Sequence, residues 1–237
     1  MARTAVRGRL SWLLGEVVAV VEETSRVRSI VLGCPGWTGH LPGQHIDVRL
    51  TAEDGYQAQR SYSLATPFDG DRLTITVEHV EGGEVSPYLT EELRVGDRLE
   101  LRGPIGGYFV WEPEIGGPLQ LVAGGSGLVP LMAMIRALNG NTESLAVRLL
   151  ASARSWDDLI YRAELENLAG RVAGLEIAFT LTRSQPLGWS GYQRRVDREM
   201  LVEWGWPASD QPRSFVCGPT GFVETVASTL QELGHDP

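Results

Sequence analysis

The stretch "LQLVAGGSGLVPLMAMI", Leu119 to Ile135, reads as a strand, a glycine turn and a helix. Gly124, Gly125 and Gly127 permit tight backbone geometry and close approach of a ligand. The start of the helix presents unpaired N–H groups and a positive dipole end, which favours a pyrophosphate. Ser126 lies within that turn. Pro130 stands where the usual dinucleotide fingerprint has its third glycine, and a first helical turn tolerates it. The alternative is a glycine-rich connection without a ligand.

Downstream, strand and helix continue to alternate. "LAVRLLAS" leads to "WDDLIYRAELENLA", "LEIAFTLT" to "RRVDREMLVEW", and "SFVCG" to "TGFVETVASTLQEL". Apolar strands alternating with amphipathic helices imply βαβ units on a parallel sheet. Upstream the pattern differs. "GEVVAVVEET", "VRSIVLG", "QHIDVRL", "QRSYSLA", "RLTITVEHV" and "DRLELRG" are short strands, which suits an antiparallel barrel or sandwich. One short helix interrupts them, with Ser86 as N-cap, Pro87 at the first position and "YLTEEL" following. The change of pattern falls near Glu114 to Gly117.

The 237 residues carry a net charge of −9, which argues against a nucleic-acid partner. All basic residues are arginine. The two cysteines, Cys34 and Cys217, are too few for a disulfide framework or a four-cysteine metal or iron–sulfur site. The apolar run near the N-terminus is broken by Glu16, and no segment is long and uncharged enough for membrane insertion. A cytoplasmic protein is expected.

"RSYSLA", Arg60 to Ala65, places a guanidinium, a phenol and a hydroxyl along one short strand, as though facing something outside the protein. Ligands of open α/β sheets lie beyond the carboxyl ends of the strands. Arg154, Thr182 and Arg183 end two strands there, and Arg194 and Arg195 follow in the next loop. Such arginines suit a 2′-phosphate, favouring NADP(H) over NAD(H). Asp157 and Asp158 are expected to begin the next helix, or to turn toward a ribose and reverse that preference.

"RSYS", "GGEVSPYL", "GPIGGYF", "AGGSGLVP" and "VCGPTGF" occur in the order seen in the ferredoxin–NADP reductase family. The chain most resembles the reductase components of bacterial oxygenase systems, over nearly its whole length. The resemblance implies two domains: an antiparallel β-barrel that binds FAD, residues 1–113, and an α/β parallel-sheet domain that binds NADP(H) or NAD(H), residues 114–237. It implies that Arg60 contacts the flavin pyrophosphate, Tyr62 packs on the isoalloxazine ring and Ser63 bonds near N5, with Ser61 in the same motif. Val77, His79 and Val80 are to supply contacts to the ring. Gly82, Gly83, Val85 and Ser86 are to hold the second phosphate. Tyr108, Phe109 and Trp111 are candidates for stacking on adenine or for barrel packing. Cys217, with Gly218 and Pro219, is placed where nicotinamide meets flavin. Ser63, Tyr62 and Cys217 are thus the expected catalytic residues.

Relatives often carry a plant-type [2Fe–2S] domain and end on a strand bearing an aromatic residue near the flavin. The sequence here lacks the four spaced cysteines and ends at "ELGHDP". The implied activity is FAD-dependent transfer of electrons from NAD(P)H to a separate ferredoxin-like or oxygenase iron–sulfur protein. Two alternatives remain: a stand-alone reductase of free flavin, quinone or another diffusible acceptor, and a non-catalytic nucleotide-binding subunit.

Overall fold

The computed structural model describes residues 10–138 and 145–236. Six strands come first: β1 (Leu13–Thr24), β2 (Val27–Gly33), β3 (His45–Thr51), β4 (Gln57–Ser63), β5 (Arg72–Glu78) and β6 (Arg98–Ile105). They pair antiparallel in the order β4-β3-β6-β1-β2-β5. A bridge between Leu64 and Ile75 joins the two outer strands and closes the sheet into a barrel. Alternation explains the interior. Leu73, Ile75 and Val77 of β5 are fully buried, as are Ile30 and Leu32 of β2 and Ile46 and Val48 of β3.

The second half contains β7 (Leu119–Gly124), α1 (Leu128–Ala137), β8 (Val147–Ala153), α2 (Arg162–Arg171), β9 (Leu175–Leu181), α3 (Arg198–Trp204), β10 (Arg213–Cys217) and α4 (Thr220–Glu232). The four strands are parallel in the order β10-β7-β8-β9. Every residue of β7 is buried, as expected for a central strand covered on both faces. Leu128, Leu131 and Ile135 of α1 share a core with Leu165 and Leu168 of α2. Met200 of α3 and Val226 and Leu230 of α4 form a separate core on Val122 and Leu150. The chain order reverses between β7 and β10, so the loops leaving these strands diverge and open a crevice.

Three expected helix starts are corrected. The helix expected from Trp156 begins at Arg162. Asp158 instead accepts a hydrogen bond from Ser155 at 2.6 Å, a local side-chain bond that competes with helix formation. Tyr161, just before the helix, is left-handed with φ 56°. Asp157 and Asp158 therefore lie in a loop. The helix expected from Arg194 begins at Arg198, because the Asp197 side chain caps it by accepting from the Met200 N–H at 2.9 Å. Ser86 is no N-cap: its turn becomes a five-residue π-helix, Tyr88–Glu92, without a side-chain cap. Among the described residues, no helix is long and apolar enough to cross a membrane.

Candidate functional site

Strand β4 presents Arg60, Ser61, Tyr62 and Ser63 at one edge of the barrel sheet, where β3 is its ladder neighbour. Alternation sorts them. Ser61 turns to the opposite side from Arg60 and Tyr62 and donates to Asp47 at 2.6 Å; Arg102 donates to the other oxygen of Asp47 at 2.6 Å. Burial raises the Asp47 pKa, but these two bonds outweigh it and hold the carboxyl below its usual range. Arg60 remains half exposed and donates to Glu84 at 2.7 Å. Tyr62 is half buried against the barrel core, and burial pushes its pKa up to about 12. Ser63 lies opposite His45, one residue before the bridge that closes the barrel.

The turn after β5 folds back toward β4. The Val80 N–H donates to the Ser86 hydroxyl oxygen at 3.1 Å, and the Gly83 N–H to the Val80 carbonyl at 3.0 Å. Ser86 thereby shapes the loop while its own O–H remains able to donate. Gly82 needs its glycine, with φ 70°. Val77 and Val85 have fully buried side chains, so only their backbones are able to serve a ligand. His79 is half buried, with Nδ1 3.0 Å from the Thr90 hydroxyl. Val80 is exposed. Of the three aromatic candidates, Trp111 is fully buried and belongs to the core, Phe109 packs edge-on against Phe215, and Tyr108 is fully exposed.

The glycine turn is built by close approach. A Cβ on Gly127 would lie 2.2 Å from the Cys217 carbonyl oxygen, and one on Gly124 would lie 3.0 Å from the Phe222 ring. Gly125 has φ 56° and faces open space. Pro130 is buried in the first turn of α1. Cys217 is half buried; burial raises its thiol pKa against the lowering effect of the Gly218 N–H, so the neutral thiol is favoured.

A cavity of ≈ 430 Å³ lies beyond the carboxyl ends of the parallel strands. Gly124, Gly125, Ser126, Arg154, Thr182 and Pro219 line it, as does Arg195. Gly127, Pro130, Arg183, Cys217 and Gly218 are not among its lining residues. The Arg183 backbone N–H instead donates to the Arg154 carbonyl at 2.8 Å. Arg194 is drawn off to Asp197 at 2.5 Å. Asp158 lines the cavity from the loop where a helix was expected.

The other wall escaped the sequence reading. Thr24, Arg26, Val27 and Glu78 reach the cavity from the barrel. The β1–β2 turn is clamped to the end of β5: the His79 N–H donates to the Arg26 carbonyl at 2.8 Å, and the Arg26 guanidinium to the His79 carbonyl at 3.1 Å. Pairing of β1, β2 and β5 gathers these residues, and packing of the barrel against the parallel sheet brings them to the glycine turn; no local pattern announces it.

Two family models match: an oxidoreductase FAD-binding domain over residues 16–110 and an oxidoreductase NAD-binding domain over residues 121–228. The chain is 31% identical over 224 residues to the glycine betaine monooxygenase reductase subunit of Chromohalobacter salexigens, covering 92% of this chain and 60% of that protein. It is 30% identical over 204 residues to NADH-cytochrome b5 reductase 1 of Aspergillus terreus, covering 81% of this chain and 67% of that protein. Among solved structures, the FAD/NAD-binding domain of nitric oxide dioxygenase from Vibrio cholerae superposes with a TM-score of 0.84 at 28% identity, covering 94% of both chains.

Proposed function

The chain belongs to the ferredoxin–NADP reductase family of FAD- and NAD-binding oxidoreductases, and on that premise we propose that it takes hydride from NADPH or NADH and passes the electrons to a separate ferredoxin-like or oxygenase iron–sulfur protein. The observation that carries this reading is a cavity with one wall from each half. One wall is the glycine turn of the parallel sheet; the other is the end of β5, which the Leu64–Ile75 bridge sets beside the β4 strand bearing Arg60 and Tyr62, although no β4 side chain lines the cavity itself. We place the domain boundary at residues 113/114, in the connection between β6 and β7.

Bound FAD supplies the chemistry: it accepts a hydride and releases electrons one at a time. The residues present fit it. Arg60 would donate to the pyrophosphate, Tyr62 would pack on the ring, and Ser63 would donate near N5. The Val77–Val80 backbone would border the ring, and Gly82, Gly83, Val85 and Ser86 would offer N–H and O–H donors to the second phosphate. Ser61 supports the strand from behind through Asp47. For the coenzyme, Gly124 to Gly127 admit the pyrophosphate, with Pro130 setting the first turn of α1. Cys217 at the end of β10, with Gly218 and Pro219 after it, would border the nicotinamide, Pro219 alone of the three lining the cavity. Arg154, Thr182 and Arg195 meet the adenosine ribose, with Arg183 supporting the backbone of Arg154. Holding the two rings in near-attack geometry is the protein's main catalytic contribution.

The relatives named as oxygenase reductase subunits support the iron–sulfur acceptor; the relative named as a cytochrome b5 reductase supports a haem protein instead. The chain spans 60% of the length of the oxygenase reductase subunit. The test is anaerobic mixing of the flavin-loaded protein with NADPH and with NADH, followed by a panel of ferredoxin, cytochrome b5, quinone and free flavin. Bleaching of the flavin and fastest reoxidation by ferredoxin are expected. A flavin that stays oxidised with both coenzymes would refute the hydride reading, and preferred reoxidation by a diffusible acceptor would refute the partner.

A further inference from the structure

Helix α1 starts at the glycine turn and carries in its last turn Arg136, whose guanidinium crosses to the barrel. Nη1 donates to the Ala65 carbonyl at 2.7 Å; Nε and Nη2 grip the Glu164 carboxylate at 2.8 and 2.6 Å. Ala65 lies two residues past the end of β4, and its own N–H donates to the Thr74 carbonyl of the barrel at 2.8 Å. The Arg136 guanidinium also stacks on the Tyr161 ring at 4.7 Å. Burial of a charge this well paired and stacked argues for one fixed geometry.

Tyr161 makes a second crossing. It is 4% exposed, and its hydroxyl meets that of Thr76 on β5. Thr76 meets Ser29 on β2 at 2.8 Å, and Ser29 donates to Glu23 on β1 at 2.6 Å. Counting hydrogens sets the direction. Ser29 spends its only hydrogen on Glu23, so Thr76 must donate to Ser29, and Tyr161 must donate to Thr76. The chain of donors therefore runs one way, from the coenzyme domain to a barrel carboxylate. A left-handed tyrosine is uncommon, and here that conformation directs the side chain across the interface. Ile160, its neighbour, lines the cavity.

We propose that Arg136 and Tyr161 are positioning residues that lock the coenzyme domain onto the flavin strand and so hold the two reacting rings at a constant separation. This rests on the hydride reading above. Both crossings end next to functional backbone: Ala65 two residues after Ser63, and Thr76 one residue before Val77. Neither side chain lines the cavity, so neither touches the coenzyme there.

Tyr161→Phe deletes one hydroxyl, and Arg136→Lys keeps the charge while losing the fork. Anaerobic stopped-flow measures flavin reduction at saturating coenzyme, the coenzyme dissociation constant and the long-wavelength charge-transfer absorbance of the stacked rings. In each variant we expect a roughly tenfold slower reduction, dissociation constants within about twofold of the parent, and a weakened charge-transfer band. Hydrogen exchange of the same proteins should rise at residues 64–66 and at the end of α1. Parent rates and an undiminished band in both variants would overturn the positioning role. A parent whose flavin neither coenzyme reduces overturns the hydride reading itself, and the two failures are thereby told apart.

Discussion

The β4 strand and the glycine turn, the two nucleotide sites proposed above, differ in kind. On β4 the proposed donors are side chains at the sheet edge, each removable without rebuilding the strand. In the turn after β7 the donors are backbone, and recognition depends on side chains being absent. The first site should therefore lose affinity when atoms are deleted, and the second should lose structure when atoms are added.

The largest effect is expected at Gly127. An added methyl would meet the carbonyl oxygen and carbon of Cys217 at 2.2 and 2.3 Å and the Gly218 nitrogen at 2.5 Å, all backbone atoms that cannot rotate away. Gly127→Ala should destabilise the protein by at least ~1–3 kcal/mol through overpacking, and displace the end of β10. Thermal melting and coenzyme titration check this. A variant with the parent's melting temperature and coenzyme affinity would break the contrast at its stronger end.

Arg60→Ala tests the other side. Losing one charge-assisted hydrogen bond to the pyrophosphate costs about 1.5–3 kcal/mol, roughly ten- to a hundredfold in FAD affinity. Because Arg60 is half exposed and its protein partner Glu84 is solvated too, melting of the flavin-free protein should hardly change. A variant that binds FAD like the parent would remove Arg60 from the site.

The smallest effect concerns coenzyme choice. Arg154 and Arg195 line the cavity beside Asp158, whereas Arg183 does not. Arg154→Ala should lower kcat/KM for NADPH by about tenfold with little change for NADH, as expected for one lost phosphate contact. Arg183→Ala should cost less than about threefold with either coenzyme, because its bond to Arg154 is made by the backbone. The reverse order would return the phosphate contact to Arg183, the residue that the "Thr-Arg" strand end singles out in sequence.

Much of this molecule was legible locally. The strands VRSIVLG and QHIDVRL show their alternation within a few residues, and the glycine turn is marked by the absence of side chains. The helix starts at Arg162 and Arg198 were not legible from the apolar pattern, because Asp158 bonded to Ser155 and Asp197 to the Met200 N–H decide where each helix begins. The sequence ranked Arg183 first by its Thr-Arg strand end, whereas the structure lines the cavity with Arg154 and Arg195.

By itself the sequence determined the two kinds of sheet and marked the glycine turn as a candidate phosphate site, since periodicity and turn chemistry act over neighbouring residues. Only the tertiary structure decided that Arg26 and Glu78 wall the coenzyme cavity, that Gly127 must clear a carbonyl on β10, and that Arg136 and Tyr161 tie the two halves together. Each of these joins residues far apart in the chain. Their meeting is set by strand pairing and by packing between the sheets, which no local pattern contains.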